Sequence, residues 1–149
     1  MGRAAVWGLI LAQALCLPAL ADGTARSAFI AEAKLLITDM IAAGCNGAPG
    51  RMMSRGVIVR DLDGDHRDDL ILSHEGVECE GEVTRSVYCG AQVCSTVIYL
   101  QRDEGLERQA EVLGSVIDID GSLPPVVHVA EHGGSRLVLN WNGAGFASP

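Results

Sequence analysis

Positive charge is scarce in this chain: 11 Lys and Arg stand against 19 Asp and Glu, a formal net charge of −8. A surface of that sign disfavours nucleic acid and anionic lipid as partners, and it suits cations and basic proteins. No apolar run reaches the length of about 20 residues that a bilayer-spanning helix needs. No Cys-x-x-Cys pair is present, so the usual knuckle of a zinc site is missing. No glycine-rich phosphate loop is present either, because no helix follows Gly143-Ala144-Gly145. A catalytic set is lacking as well. Ser73-His74-Glu75 has triad-like residue types, but neighbours on a strand point to opposite faces and do not assemble one. His128 and His132 are four apart, yet Pro124-Pro125 and Val126-Val127 place them on a strand and at a turn, as a surface pair.

What the chain does hold starts at its N-terminus. Met1 to Arg3 is short and positively charged, Ala4 to Leu17 is almost wholly apolar, and Pro18 precedes Ala19-Leu20-Ala21. That order of charged start, apolar stretch and A-x-A site reads as a signal peptide over residues 1–21. The expectation is an exported protein, periplasmic or secreted, whose mature part is a single domain over 22–149. Arg3 is the only charge in the leader, so removing it shifts the net charge from −8 to −9. Cys16 leaves with the leader. Cys45, Cys79, Cys89 and Cys94 remain, an even number in an oxidising compartment, and two disulfides are expected. Cys89 and Cys94 enclose a short glycine-containing loop that allows the two Cα atoms to approach. The pairing expected is therefore Cys89–Cys94 and, by elimination, Cys45–Cys79.

Thr24 to Ala43 predicts a helix. Phe29, Ala33, Leu36, Met40 and Ala43 form one apolar stripe, widened by Leu35 and Ile41. Asp22 or Thr24 can cap its start, and Gly44 ends it. Cys45 to Ser54 reads as a loop. Strands are expected at Val57-Ile58-Val59, Leu70-Ile71-Leu72, Ser95 to Leu100, Leu106 to Leu113 (where Leu106 to Glu111 also fits a short helical turn), Val116 to Ile119, Val126 to Val129 and Arg136 to Trp141. Glu75 to Arg85 reads as an irregular excursion. A last hairpin turns at Asn142-Gly143 and pairs Trp141 with Phe146. The fold class expected is α+β, with an N-terminal helix packed on an antiparallel meandering sheet.

The most informative segment is Asp61-Leu62-Asp63-Gly64-Asp65-His66-Arg67-Asp68-Asp69-Leu70. Counting from Asp61, aspartates fall at positions one, three, five and nine. Calcium takes six to eight oxygen ligands at about 2.3–2.6 Å, and a tight loop with acids at alternate positions points several inward together. Arg67 at position seven would offer its backbone carbonyl, and Gly64 lets the chain curl. Without a cation, the crowded carboxylates would raise one another's proton affinity. Calcium suits such a cage better than magnesium, which keeps its waters. An EF-hand does not fit: positions six and twelve are His66 and Leu72 rather than Gly and Glu, and the flanks read as strands.

With β-branched residues before it and an apolar strand after it, this segment resembles the FG-GAP type of calcium loop that joins two antiparallel strands. The resemblance spans residues 57–73 and implies a metal held by Asp61, Asp63, Asp65 and Asp69 with the Arg67 carbonyl. His66 stands where that motif usually has Gly, and His is among the side chains enriched at positive φ. The Cys-Gly-x-x-x-Cys element at Cys89–Cys94 also resembles small exported proteins of Gram-negative bacteria. The function expected is an exported, calcium-binding structural or binding module with no identifiable catalytic activity; an enzyme would have its best case in calcium beside His74 and Glu75. The alternative is an inhibitor or partner of a basic envelope hydrolase such as lysozyme.

Overall fold

The computed structural model describes residues 19–148. The charged and apolar parts of the expected leader lie outside the described residues.

The helix α1 (Ala19–Gly44) is followed by β1 (Gly50–Met52), β2 (Val57–Arg60), β3 (Asp69–Ser73), β4 (Val77–Cys79), β5 (Ser95–Arg102) and β6 (Gly105–Leu113). The chain then continues through β7 (Ser115–Ile119), β8 (Val127–Ala130), β9 (Arg136–Trp141) and β10 (Phe146–Ala147). Two four-stranded antiparallel sheets form, ordered β2-β3-β5-β6 and β10-β9-β8-β7, with a two-stranded ribbon β1-β4. The fold is α+β.

The layers follow from strand periodicity. On β3, Leu70 and Leu72 face the helix while Ile71 faces away, as alternate residues on a strand must. Every residue of β3 is buried. Covered on both faces, this strand reads as a continuous apolar run rather than an alternation. On its helix side, Leu70, Leu72, Val97 and Leu106 pack with Phe29, Ala33 and Met40. On its other side, Ile71, Ile98 and Leu100 meet Val127, Val129 and Leu139 from the second sheet. Each fully buried side chain of this size contributes about 1.5–3 kcal/mol. The second core is therefore what fixes the sheet-on-sheet contact.

Several local expectations are corrected. Leu35 does not widen the helix stripe: it is 66% exposed. Ile37 packs on the core in its place, and Ala43 is exposed. The helix already includes Ala19, ahead of the expected caps. The loop after Cys45 and the excursion after Glu75 each hold a short strand. They pair as β1 and β4, with Arg51 opposite Glu78. Both are too short for an alternation signal, and each forms only because the other lies alongside. The expected meander is real but runs in two sheets, with Gly114 at the corner between β6 and β7. A Cβ on Gly114 would lie 2.4 Å from a Val129 methyl group, so the corner requires glycine there.

Both expected disulfides are present, Cys45–Cys79 and Cys89–Cys94. Among the described residues, no helix is long and apolar enough to cross a membrane.

Candidate metal centre

The acidic segment forms the connection between β2 and β3, which pair antiparallel with Arg60 opposite Asp69. Its shape comes from aspartates bonding backbone amides a few residues ahead. Asp61 accepts from the Gly64 N–H at 2.7 Å and the His66 N–H at 3.0 Å. Asp63 accepts from the Asp65 N–H at 3.2 Å, and Asp65 from the Arg67 N–H at 2.9 Å. Such local bonds are the usual reason aspartate favours turns. The curl needs two left-handed residues, Gly64 at φ 84° and His66 at φ 68°. Histidine therefore takes the positive φ that the sequence required of it.

One carboxylate oxygen from each of Asp61, Asp63 and Asp65 lies within 4.8 Å of the others. Oxygens on opposite sides of a calcium ion stand about 5 Å apart, twice the usual ligand distance. The three are thus spaced to share one ion with little movement. Asp69 is placed differently. It is fully buried, and its carboxylate accepts from the Leu62 N–H at 2.7 Å and the Gln101 N–H at 2.8 Å. Its two oxygens tie the loop to β5 and do not join the three-carboxylate group. Asp68 is exposed and also stands outside that group.

Two guanidinium groups balance the loop. Arg102 at the end of β5 reaches Asp63 at 2.8 Å and Asp65 at 3.7 Å. Arg67 reaches Asp65 at 2.8 Å and Asp103 at 3.0 Å. Burial alone would raise the Asp65 carboxyl, but the Arg67 amide and guanidinium and the Arg102 charge outweigh it and hold Asp65 below the ordinary range. Burial pushes Asp69 up to about 6, against its two amide bonds and with help from the Asp63 and Asp65 charges.

Arg102 has no local signal in the sequence. It lies 39 residues from Asp63 and reaches the loop because β5 pairs with β3. Its guanidinium also sits 5.6 Å from the Trp141 ring centroid, a distance at which cation and ring attract. Trp141 and Phe146 pack together as the expected hairpin pair, 5.4 Å between centroids.

No family model matches the chain, and neither the curated proteins nor the solved structures contain a significant match to it.

Cys45, Cys79, Cys89 and Cys94 are all in disulfides and offer no thiolate. The Ser73 and Thr96 hydroxyls are hydrogen-bonded at 2.8 Å, while Glu75 is exposed. His128 lies on β8 and His132 in a turn. A depression of about 710 Å³ borders the β1-β4 ribbon, where Glu78 pairs with both Arg51 and Arg55.

His74 is buried, 2.9 Å from the Ser86 hydroxyl through Nδ1 and stacked on Tyr88 at 4.5 Å. Burial lowers its proton affinity, partly offset by the Glu111 charge. An unfolded histidine protonates near pH 6.5, and this one does so only at lower pH. Between those two values the unfolded chain binds more protons at this site, so the His74 contribution lowers stability as pH drops below about 6.5, while Asp69, protonated in the fold below about 6, acts in the opposite direction. His74→Gln is expected to remove the His74 part of that slope. The check is the urea midpoint measured from pH 7.5 to pH 5 in both proteins. A slope that persists unchanged in the variant would refute the assignment.

Proposed function

We propose that this chain is an exported module whose β2–β3 connection holds one calcium ion, and that the ion's role is structural. The reading is carried by one observation: carboxylates at alternate positions, Asp61, Asp63 and Asp65, converge within 4.8 Å of one another on a tightly curled hairpin loop. Two disulfides support export, because such bonds persist in oxidising compartments. The FG-GAP resemblance supports the choice of ion and adds the Arg67 carbonyl and Asp69 as ligands. Recruiting Asp69 requires one of its oxygens to serve the ion as well as a backbone amide. A carboxylate oxygen has the lone pairs to do both.

Arg102 and Arg67 oppose the ion. Calcium must draw Asp63 and Asp65 from their guanidinium partners, so the affinity expected is that of extracellular modules, about 10⁻⁴ to 10⁻³ M. At ten times the Kd, binding stabilises the fold by about 1.4 kcal/mol. For a domain of this size that raises Tm by about 3–5 °C. The test is thermal unfolding of the processed, oxidised protein in millimolar calcium and in chelator. Asp65→Ala should abolish the difference between the two conditions. Equal melting of the wild-type protein in both would contradict the proposal.

A second reading, as inhibitor or partner of a basic envelope hydrolase, is favoured by a different feature. Val83, Val87 and Tyr88 stand 67%, 50% and 48% exposed. They lie on the excursion between Cys79 and Cys89, which the two disulfides tie down at either end. A rigid apolar loop on an acidic protein suits a basic partner, whose capture would weaken steeply with salt. Pull-down of purified lysozyme at low and high salt distinguishes this reading from a purely structural one.

A further inference from the structure

The chain contains two Asn-Gly pairs in exposed turns, Asn46-Gly47 and Asn142-Gly143. An Asn-Gly pair can react with itself. The glycine backbone nitrogen adds to the asparagine Cγ, closing a five-membered ring, and glycine permits this best because it has no Cβ. The structure holds the two pairs in different ways.

Asn46-Gly47 caps the end of α1. The Gly47 N–H donates to the Ala42 carbonyl at 2.8 Å, and Asn46 sits at φ 51°. The attacking nitrogen is thus held by the helix, and reaction must first break that cap. In Asn142-Gly143 the bonds fall on the other reactant. Asn142 Oδ1 accepts from the Ala144 N–H at 2.9 Å and the Gly145 N–H at 3.0 Å. Two donors on one carbonyl oxygen draw electrons from Cγ. They also stand where negative charge develops as the nitrogen adds, the arrangement that stabilises tetrahedral oxyanions.

We infer that Asn142 is a site of spontaneous self-modification and that Asn46 is protected from it. The Gly143 nitrogen gives its proton to solvent and bonds to Asn142 Cγ. The Cγ–Nδ2 bond breaks, and Nδ2 takes a proton from solvent and leaves as ammonia. Water then opens the ring at either carbonyl, giving aspartate or isoaspartate. Water is the only co-reactant. The product carries a new negative charge beside Trp141, the ring over which Arg102 lies while it pairs with Asp63. The inference does not rest on calcium binding.

The test uses hydroxylamine, which cleaves the ring intermediate at Asn-Gly bonds, on the oxidised full-length mature protein at mildly alkaline pH. Fragments are read by mass spectrometry after reduction, because Cys45–Cys79 would hold together a chain cut at Asn46. In the folded protein the cut after Asn142 is expected to be faster than the cut after Asn46 by about tenfold, the value of one hydrogen bond that must break. In denaturant the two rates should converge, with Asn142 no faster unfolded than folded. Asn142→Asp should remove the first cut and leave the second. A folded protein cut equally or faster at Asn46, or cut at neither, would overturn the inference.

Discussion

Gly76→Ala is expected to cost about 3 kcal/mol, the upper end of ordinary overpacking. A Cβ on Gly76 would lie 2.4 Å from the Gly56 Cα and 2.6 Å from the Gly56 nitrogen. These two glycines close the one-turn 3₁₀ helices Ser54–Gly56 and His74–Gly76, which flank the hairpin of β2 and β3. The obstructing atoms are backbone, so no rotamer change relieves the clash, and the turns must separate. Alanine would gain about 0.4–1 kcal/mol from a less flexible unfolded chain, which is too little to compensate. Gly121→Ala is the control: a Cβ there meets nothing within 4 Å, and its φ is not left-handed. Urea unfolding of both variants beside the wild type measures the difference. Equal midpoints for Gly76→Ala and Gly121→Ala would contradict the packing described.

Removing the Cys45–Cys79 disulfide by paired serine substitution is expected to cost about 4 kcal/mol. The bond closes a loop with a sequence separation of 34 residues. Loop-closure entropy of that size corresponds to about 4 kcal/mol, against about 2 for the short Cys89–Cys94 loop. The bond that closes the longer loop also joins the end of α1 to β4, and both of its cysteines are buried. The order of effects is therefore fixed by topology: loss of Cys45–Cys79 should lower the unfolding midpoint about twice as far as loss of Cys89–Cys94. A reversed order would show that the chain-entropy account is wrong for this fold.

Much of this architecture was legible in the sequence where periodicity is strong. Leu70-Ile71-Leu72 and Ser95 to Leu100 are apolar and β-branched over a full strand length, and they became the central strands β3 and β5. The short spacing pointed to Cys89–Cys94, and Cys45–Cys79 followed by elimination. Gly64 and His66 take the left-handed backbone that the tight loop demanded. What stayed hidden was set by contacts between distant segments. Gly50–Met52 and Val77–Cys79 are strands only because they meet each other. Leu35 and Ile37 both fit a widened helix stripe, and only the position of the sheet decides which is buried.

The candidate site shows the same division. The convergence of Asp61, Asp63 and Asp65 was readable from alternation within one loop. The separate position of Asp69 was not, because its carboxylate answers two amides, one of them on β5. Nor was the seat of Arg102, whose charge lies opposite the loop by strand register alone. These two features make the loop self-supporting to a degree that spacing does not reveal. They also set the opposition that any bound ion must overcome.

Isothermal titration of calcium into the processed, oxidised protein tests the account most directly. A saturable single-site heat at submillimolar to millimolar calcium, absent in Asp65→Ala, is the result predicted. No heat beyond dilution from the wild-type protein across that range would contradict it and leave the loop as an acidic turn neutralised by Arg67 and Arg102.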